Sequence, residues 1–216
     1  MIRTKLCVLA VLAFVSGCAG SARPAPAAAA GTAESPFDST PPEPSIAVSD
    51  AMGNPHIGDL APDFELADPN GGKVKLSSLR GKVVMLAFVT SWCPYSESEQ
   101  PHLAKLGADY AKDDRVRVLA LDVKESDEGY RKYVERVRMP FPVLRDPTGE
   151  VTTSYVPPGA QPAFKDRTSV LVTSNLVVDP EGRIVFFTLA DTVHFDARLV
   201  HARKAIDGLL AAGRAR

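Results

Sequence analysis

The sequence predicts an α/β domain, a central mixed β-sheet flanked by helices on both faces. Three features predict it. Gly81-Lys82 is followed by seven successive apolar residues, Val83 to Val89, a run that suits a strand buried on both faces. Arg115 to Val123 is a second such run, carrying Val116, Val118, Leu119 and Leu121, and a helical pattern separates the two. Val170 to Val178 and Arg183 to Leu189 flank Asp179-Pro180-Glu181-Gly182, a turn signature that makes them a hairpin. Buried strands joined through a helix are parallel with a right-handed crossover, and a terminal hairpin adds antiparallel strands.

The elements follow in order: three strands, a helix, a strand, a helix, the hairpin and a last helix. Leu103, Leu106 and Tyr110 share one face of the first helix, and Tyr130, Val134 and Val137 one face of the second. The last helix carries the clearest stripe: Leu199, Ala202, Ile206 and Leu209. Asp196 suits its N-cap, Phe195 can staple onto Val200, and Gly213 suits the C-cap.

The domain so built takes residues 57–216, a usual single-domain size. What precedes it has a different composition. Arg3 and Lys5 are followed by Leu6 to Val15, ten apolar residues, too few for a spanning helix and the right length for a signal segment. Residues 19–56 hold ten Ala, seven Pro, five Ser, three Gly and two Thr among 38 positions, which is too little apolar surface to offset the entropy of ordering. That stretch is a tether. Formal net charge is −1, and −3 once Arg3 and Lys5 leave with residues 1–17, so nothing in the balance points to nucleic acid.

Three cysteines, Cys7, Cys18 and Cys93, exclude a multi-disulfide scaffold. Val15-Ser16-Gly17-Cys18 resembles the lipobox of bacterial lipoproteins. That resemblance implies cleavage after residue 17, acylation of Cys18, a lipid-anchored linker over 18–56 and an envelope location on the periplasmic face, with Ala19 favouring the outer membrane. Multiple acyl chains suffice for stable anchoring. Cys7 leaves with the signal, and Cys93 remains as the free thiol.

Cys93 lies in Thr90-Ser91-Trp92-Cys93-Pro94-Tyr95-Ser96, where the first buried strand gives way to a helix. Unpaired N–H groups at a helix N-terminus stabilise a thiolate, which is the nucleophilic form. Pro94 suits the first helical position, and Pro101, inside the helix, removes a backbone donor and is expected to kink it. Glu99 reads as a structural helix residue. Asp122 and Lys124, at a strand end, can face the site but are assigned no part in it. His56, His102, His194 and His201 show no metal-ligand spacing with one another or with Cys93, so no metal or other cofactor is expected.

Four stretches carry a resemblance to a known family. They are Gly58-Asp59-Leu60-Ala61-Pro62-Asp63-Phe64-Glu65-Leu66, Leu76-Ser77-Ser78-Leu79-Arg80-Gly81-Lys82, Trp92-Cys93-Pro94 with Glu99 and Pro101, and Leu176-Val177-Val178-Asp179-Pro180-Glu181-Gly182-Arg183-Ile184. Together they resemble the thioredoxin-like superfamily, in the branch of TlpA-like thiol–disulfide oxidoreductases and AhpC/TSA redoxins. The resemblance implies a thioredoxin fold with an N-terminal extension. Two departures stand out. The resolving cysteine of C-x-x-C is Ser96, and the family's cis-proline falls on Thr173. Thr90 matches the threonine of the peroxiredoxin motif, while that motif's proline falls on Leu86 and its arginine has no counterpart in Thr173-Ser174-Asn175.

The resemblance implies a one-cysteine thiol oxidoreductase acting on disulfides or peroxides through Cys93. Thr90 and Ser96 would assist, and Trp92, Pro94, Tyr95 and Thr173 would form the substrate wall. Its partners would be an external thiol reductant or a disulfide-bearing envelope protein. The alternative is a catalytically degenerate binding module of the same fold, and copper delivery is disfavoured because the second cysteine of copper carriers is missing. A proline-rich stretch, Val156 to Arg167, reads as an insertion that can bind a partner or simply connect.

Overall fold

The computed structural model describes residues 57–155, 174–189 and 196–214. Its strands are β1 Glu65–Ala67, β2 Lys73–Lys75, β3 Val83–Val89, β4 Val116–Val123, β5 Val143–Asp146, β6 Ser174–Val178 and β7 Ile184–Leu189. The helices are α1 Pro94–Tyr110, α2 Asp127–Val137, α3 Glu150–Tyr155 and α4 Val200–Arg214, and a 3-10 turn spans Leu76–Leu79. The strands form one sheet in the order β2-β1-β5-β4-β3-β6-β7. β3, β4 and β5 are mutually parallel, and the β6–β7 hairpin pairs antiparallel against β3.

The expected thioredoxin-like arrangement is therefore present, with β3 inside the sheet between β4 and β6 and Cys93 just beyond its C-terminal end. Alternation along each strand divides the core in two. Leu86, Phe88, Leu119, Leu121, Leu144 and Leu176 face the 3-10 turn and α3, meeting Leu76 and Tyr155. Met85, Ala87, Val89, Val118, Ala120 and Val143 face the longer helices, meeting Leu103 and Leu106 of α1, Tyr133 of α2 and Ile206 of α4.

The hairpin turn forms as its residues require. Asp179 N–H bonds the Arg183 carbonyl at 2.8 Å, and Gly182 takes the left-handed conformation at φ 90° that a side chain would resist. At α4, both carboxylate oxygens of Asp196 accept first-turn N–H groups, those of Val200, His201 and Ala202 at 2.8, 2.8 and 3.0 Å. The capping role of Asp196 holds, although it stands four residues ahead of the helix.

Several expectations need correction. Gly213 lies inside α4, which continues to Arg214, so it is no C-cap. The fourth residue of the α4 stripe is Leu210, buried, rather than Leu209, which is half-buried. On α2 the fully buried residue is Tyr133, with Tyr130, Val134 and Val137 packed around it half-buried. β5 and α3 were not anticipated. Pro101 does lie inside α1, as expected. Phe195, Thr173, His56, His194, Cys18, the tether and the Val156–Arg167 stretch lie outside the described residues.

Candidate active site

Alternation also explains what lies beneath Cys93. On the helix side, β4 presents Val116, Val118, Ala120 and then Asp122; β5 presents Val143 and then Arg145; β6 presents Val177 and then Asn175. At the C-terminal ends of the parallel strands the apolar face thus becomes polar, directly under the N-terminal half of α1.

Cys93 is the N-cap of α1, with φ −88° and ψ 120°, and Pro94 is the first helical residue. The Cys93 carbonyl accepts the Glu97 N–H at 3.0 Å, the first bond of the helix. Cys93 itself is buried, 8% exposed. Trp92 beside it is 60% exposed, Pro94 is exposed and Tyr95 half-buried. Ser96 is fully buried, and its Oγ accepts the Thr90 N–H at 3.1 Å, tying the strand end to the first turn of α1. The Thr90 hydroxyl is buried without a hydrogen-bond partner among the described residues. Ser91 is held from the other side, where Glu125 Oε1 accepts its N–H at 2.9 Å and its hydroxyl at 2.5 Å.

Glu99 is a buried residue of α1, as a structural helix residue would be, and it also carries a carboxyl with few partners. It is 0% exposed, Asn175 Nδ2 donates to its Oε1, and its Oε2 has no partner among the described residues. Burial pushes its carboxyl well above the usual carboxylate range; the Asn175 hydrogen bond works against this, and the nearby Asp196 and Cys93 add to the rise. The buried Glu99 carboxyl is thus biased toward its uncharged, protonated form. A signal for this was available, because Glu99, Leu103, Leu106 and Tyr110 share one helical face.

Asp122, also 0% exposed, is pushed up to about 7 by burial and by the Glu125 charge, with Arg145 pulling the other way. The site therefore offers a shielded thiol at a helix N-terminus, a serine where a second thiol would sit, and a buried carboxyl biased toward its protonated form. Among the described residues no three His, Cys, Asp or Glu side chains are grouped as metal ligands.

The AhpC/TSA family model matches residues 57–187. The thiol-disulfide oxidoreductase ResA of Bacillus thuringiensis subsp. konkukian is 31% identical over 129 residues, 60% of this chain and 67% of the relative. A candidate protein disulfide isomerase of Bacteroides thetaiotaomicron superposes with a TM-score of 0.63 at 27% identity, over 76% of this chain and 96% of the other. A candidate thiol:disulfide interchange protein DsbE of Chlorobium tepidum gives a TM-score of 0.52 at 26% identity, over 72% and 96%. The matched span holds β3, Cys93, α1 and the hairpin strands, and the chain belongs to the AhpC/TSA family, in the thioredoxin-like class of thiol-dependent oxidoreductases.

Proposed function

We propose that this chain is a one-cysteine thiol–disulfide oxidoreductase, anchored in the cell envelope through a lipidated Cys18. The observation that carries the reading is Cys93 capping α1 with Ser96 one turn on and the fully buried carboxyl of Glu99 on the same helix. The Cys93 thiolate attacks one sulfur of a substrate disulfide, the S–S bond breaks, and its electron pair leaves on the other sulfur. Glu99 gives its proton to that departing thiolate. Ser96, its oxygen fixed by Thr90 N–H, has its hydroxyl proton to donate toward the Cys93 sulfur. The product is a mixed disulfide on Cys93. Ser96 cannot attack it, so a thiolate from a second molecule attacks the substrate sulfur and returns Cys93 as thiolate. Exposed Trp92 offers an apolar contact for a partner's backbone or side chains.

A Ser96→Cys variant tests the one-cysteine assignment. Its intramolecular disulfide with Cys93 is expected to form under mild oxidation and to expel bound thiol without an external reductant, as read by thiol titration. If the variant remains a mixed disulfide like the wild type, position 96 is not the resolving position. A peroxide as substrate is the second reading, favoured by the buried, unpartnered Thr90 hydroxyl. It predicts sulfenic acid on Cys93 after peroxide treatment.

Anchoring is supported by the sequence around Cys18, and no helix among the described residues is long and apolar enough to cross a membrane. Cys18→Ala is expected to abolish palmitate incorporation and move the protein from the membrane to the soluble fraction. An unchanged distribution would contradict the anchor.

A further inference from the structure

Asp122 takes no part in the chemistry proposed above. It closes the helix-side row of β4, flanked by Val89 of β3 and Arg145 of β5. Neither of its carboxylate oxygens has a hydrogen-bond partner among the described residues, although buried carboxyl groups ordinarily hold donors. Three residues on, Glu125 reaches back across the strand ends to grip Ser91 at both N–H and hydroxyl. That grip fixes the loop that delivers Cys93 from β3 to α1.

The titratable and charged groups coupled to Asp122 come from several elements. Glu125 follows β4 in the chain, Arg145 comes from β5, and Tyr130 and Tyr133 come from α2; Tyr133 is also influenced by Glu99 and Gln100 of α1. Arg145 supplies the nearby positive charge, but it is shared. It pairs with Asp127, donates to the Glu125 carbonyl at 3.4 Å and lies over the Tyr130 ring. A charge appearing on Asp122 therefore falls on the Glu125 carboxylate with incomplete compensation.

We propose that Asp122 is a pH-sensitive positioning residue for the Cys93 loop, acting through Glu125. Protonated, it leaves the Glu125–Ser91 bond undisturbed; ionised, it repels Glu125 and loosens the loop around Cys93. The sign follows from the carboxyl, which is neutral at low pH and becomes charged as pH rises, so the loop is tightest on the acid side. Cys93 presentation is thereby coupled to external pH without any change at the sulfur itself.

The test is amide hydrogen exchange on the full chain, read at the Ser91 N–H and corrected for intrinsic exchange. Between about pH 6 and about pH 8 the wild-type protection is expected to fall about tenfold, the size of one partly screened like-charge repulsion. Asp122→Asn, of the same shape, is expected to hold level protection over that range. Arg145→Gln is expected to move the fall to higher pH, because the cation favours ionised Asp122. Glu125→Gln, which keeps an acceptor for Ser91 but has no charge for Asp122 to repel, should likewise show no fall over that range. A wild-type fall retained in Asp122→Asn overturns the proposal, as does wild-type protection that does not change with pH. The readout is a backbone amide, so it is independent of whether Cys93 attacks disulfides.

Discussion

Glu99→Gln is expected to slow reaction of Cys93 with glutathione disulfide at neutral pH about 100-fold, the low end of what a positioned proton donor supplies. Glutamine keeps the size, the burial and a hydrogen-bonding contact with Asn175, but it has no acidic proton for the departing thiolate. The loss should depend on that thiolate. Aromatic disulfides release thiolates stable enough to leave unprotonated, so with them Glu99→Gln should react at nearly the wild-type rate. A loss of equal size with both disulfides would show that Glu99 shapes the site and gives no proton. Because glutamine keeps an oxygen for the Asn175 donor, the variant is expected to fold, which circular dichroism checks.

The second large effect is on stability. Asp122 titrates near 4 in an unfolded chain and about 7 in the folded protein. Its folded value is raised, so the folded state binds the extra proton. Stability is then full below the unfolded value and is lost as pH climbs from about 4 through about 7. Three units correspond to on the order of 4 kcal/mol. Asp122→Asn has no such titration. Urea unfolding should therefore find the variant and the wild type closest near pH 4, with the variant increasingly the more stable up to neutrality and the difference constant beyond. A difference that does not vary with pH would mean that the folded protein leaves Asp122 with an ordinary carboxyl.

Much of the frame was legible because it rests on local pattern. The Val83–Val89 run could only be a strand covered on both faces, and all seven residues are buried. Asp179 to Gly182 encoded its turn in residue types alone. Cys93 was legible at a helix N-terminus and Pro94 at the first helical position, and in the structure Cys93 is the N-cap and Pro94 the first helical residue. β5 escaped because its four residues, Val143–Asp146, lie between prolines and are too short to show a period. α3 is a six-residue helix over Glu150–Tyr155, held by Asp146, whose carboxylate accepts both the N–H and the hydroxyl of Thr152 at 2.8 Å. Such a cap is set by a contact six residues away and not by a stripe.

The site was half legible for a related reason. Thr90, Cys93 and Ser96 are neighbours in the chain, so their meeting follows from the strand-to-helix switch. Glu99 meets Asn175 across 76 positions, and Ser91 meets Glu125 across 34. Those pairings depend on which strands lie side by side, and a period along one segment does not carry that. Asp122 shows the limit most clearly. Its place in the alternation was readable, but its charge state depends on Glu125 and Arg145, which the sheet brings to it.

The central claim is that Cys93 forms a covalent intermediate that only a second molecule can resolve. Its most direct test is the intact mass of the purified chain after oxidised glutathione is added and then removed. The expected result is one glutathionyl group per chain, located on Cys93, stable until reduced glutathione or another thiol is supplied and then lost completely. A Cys93 that takes up no glutathione, or an adduct that disappears with no thiol added, would contradict it.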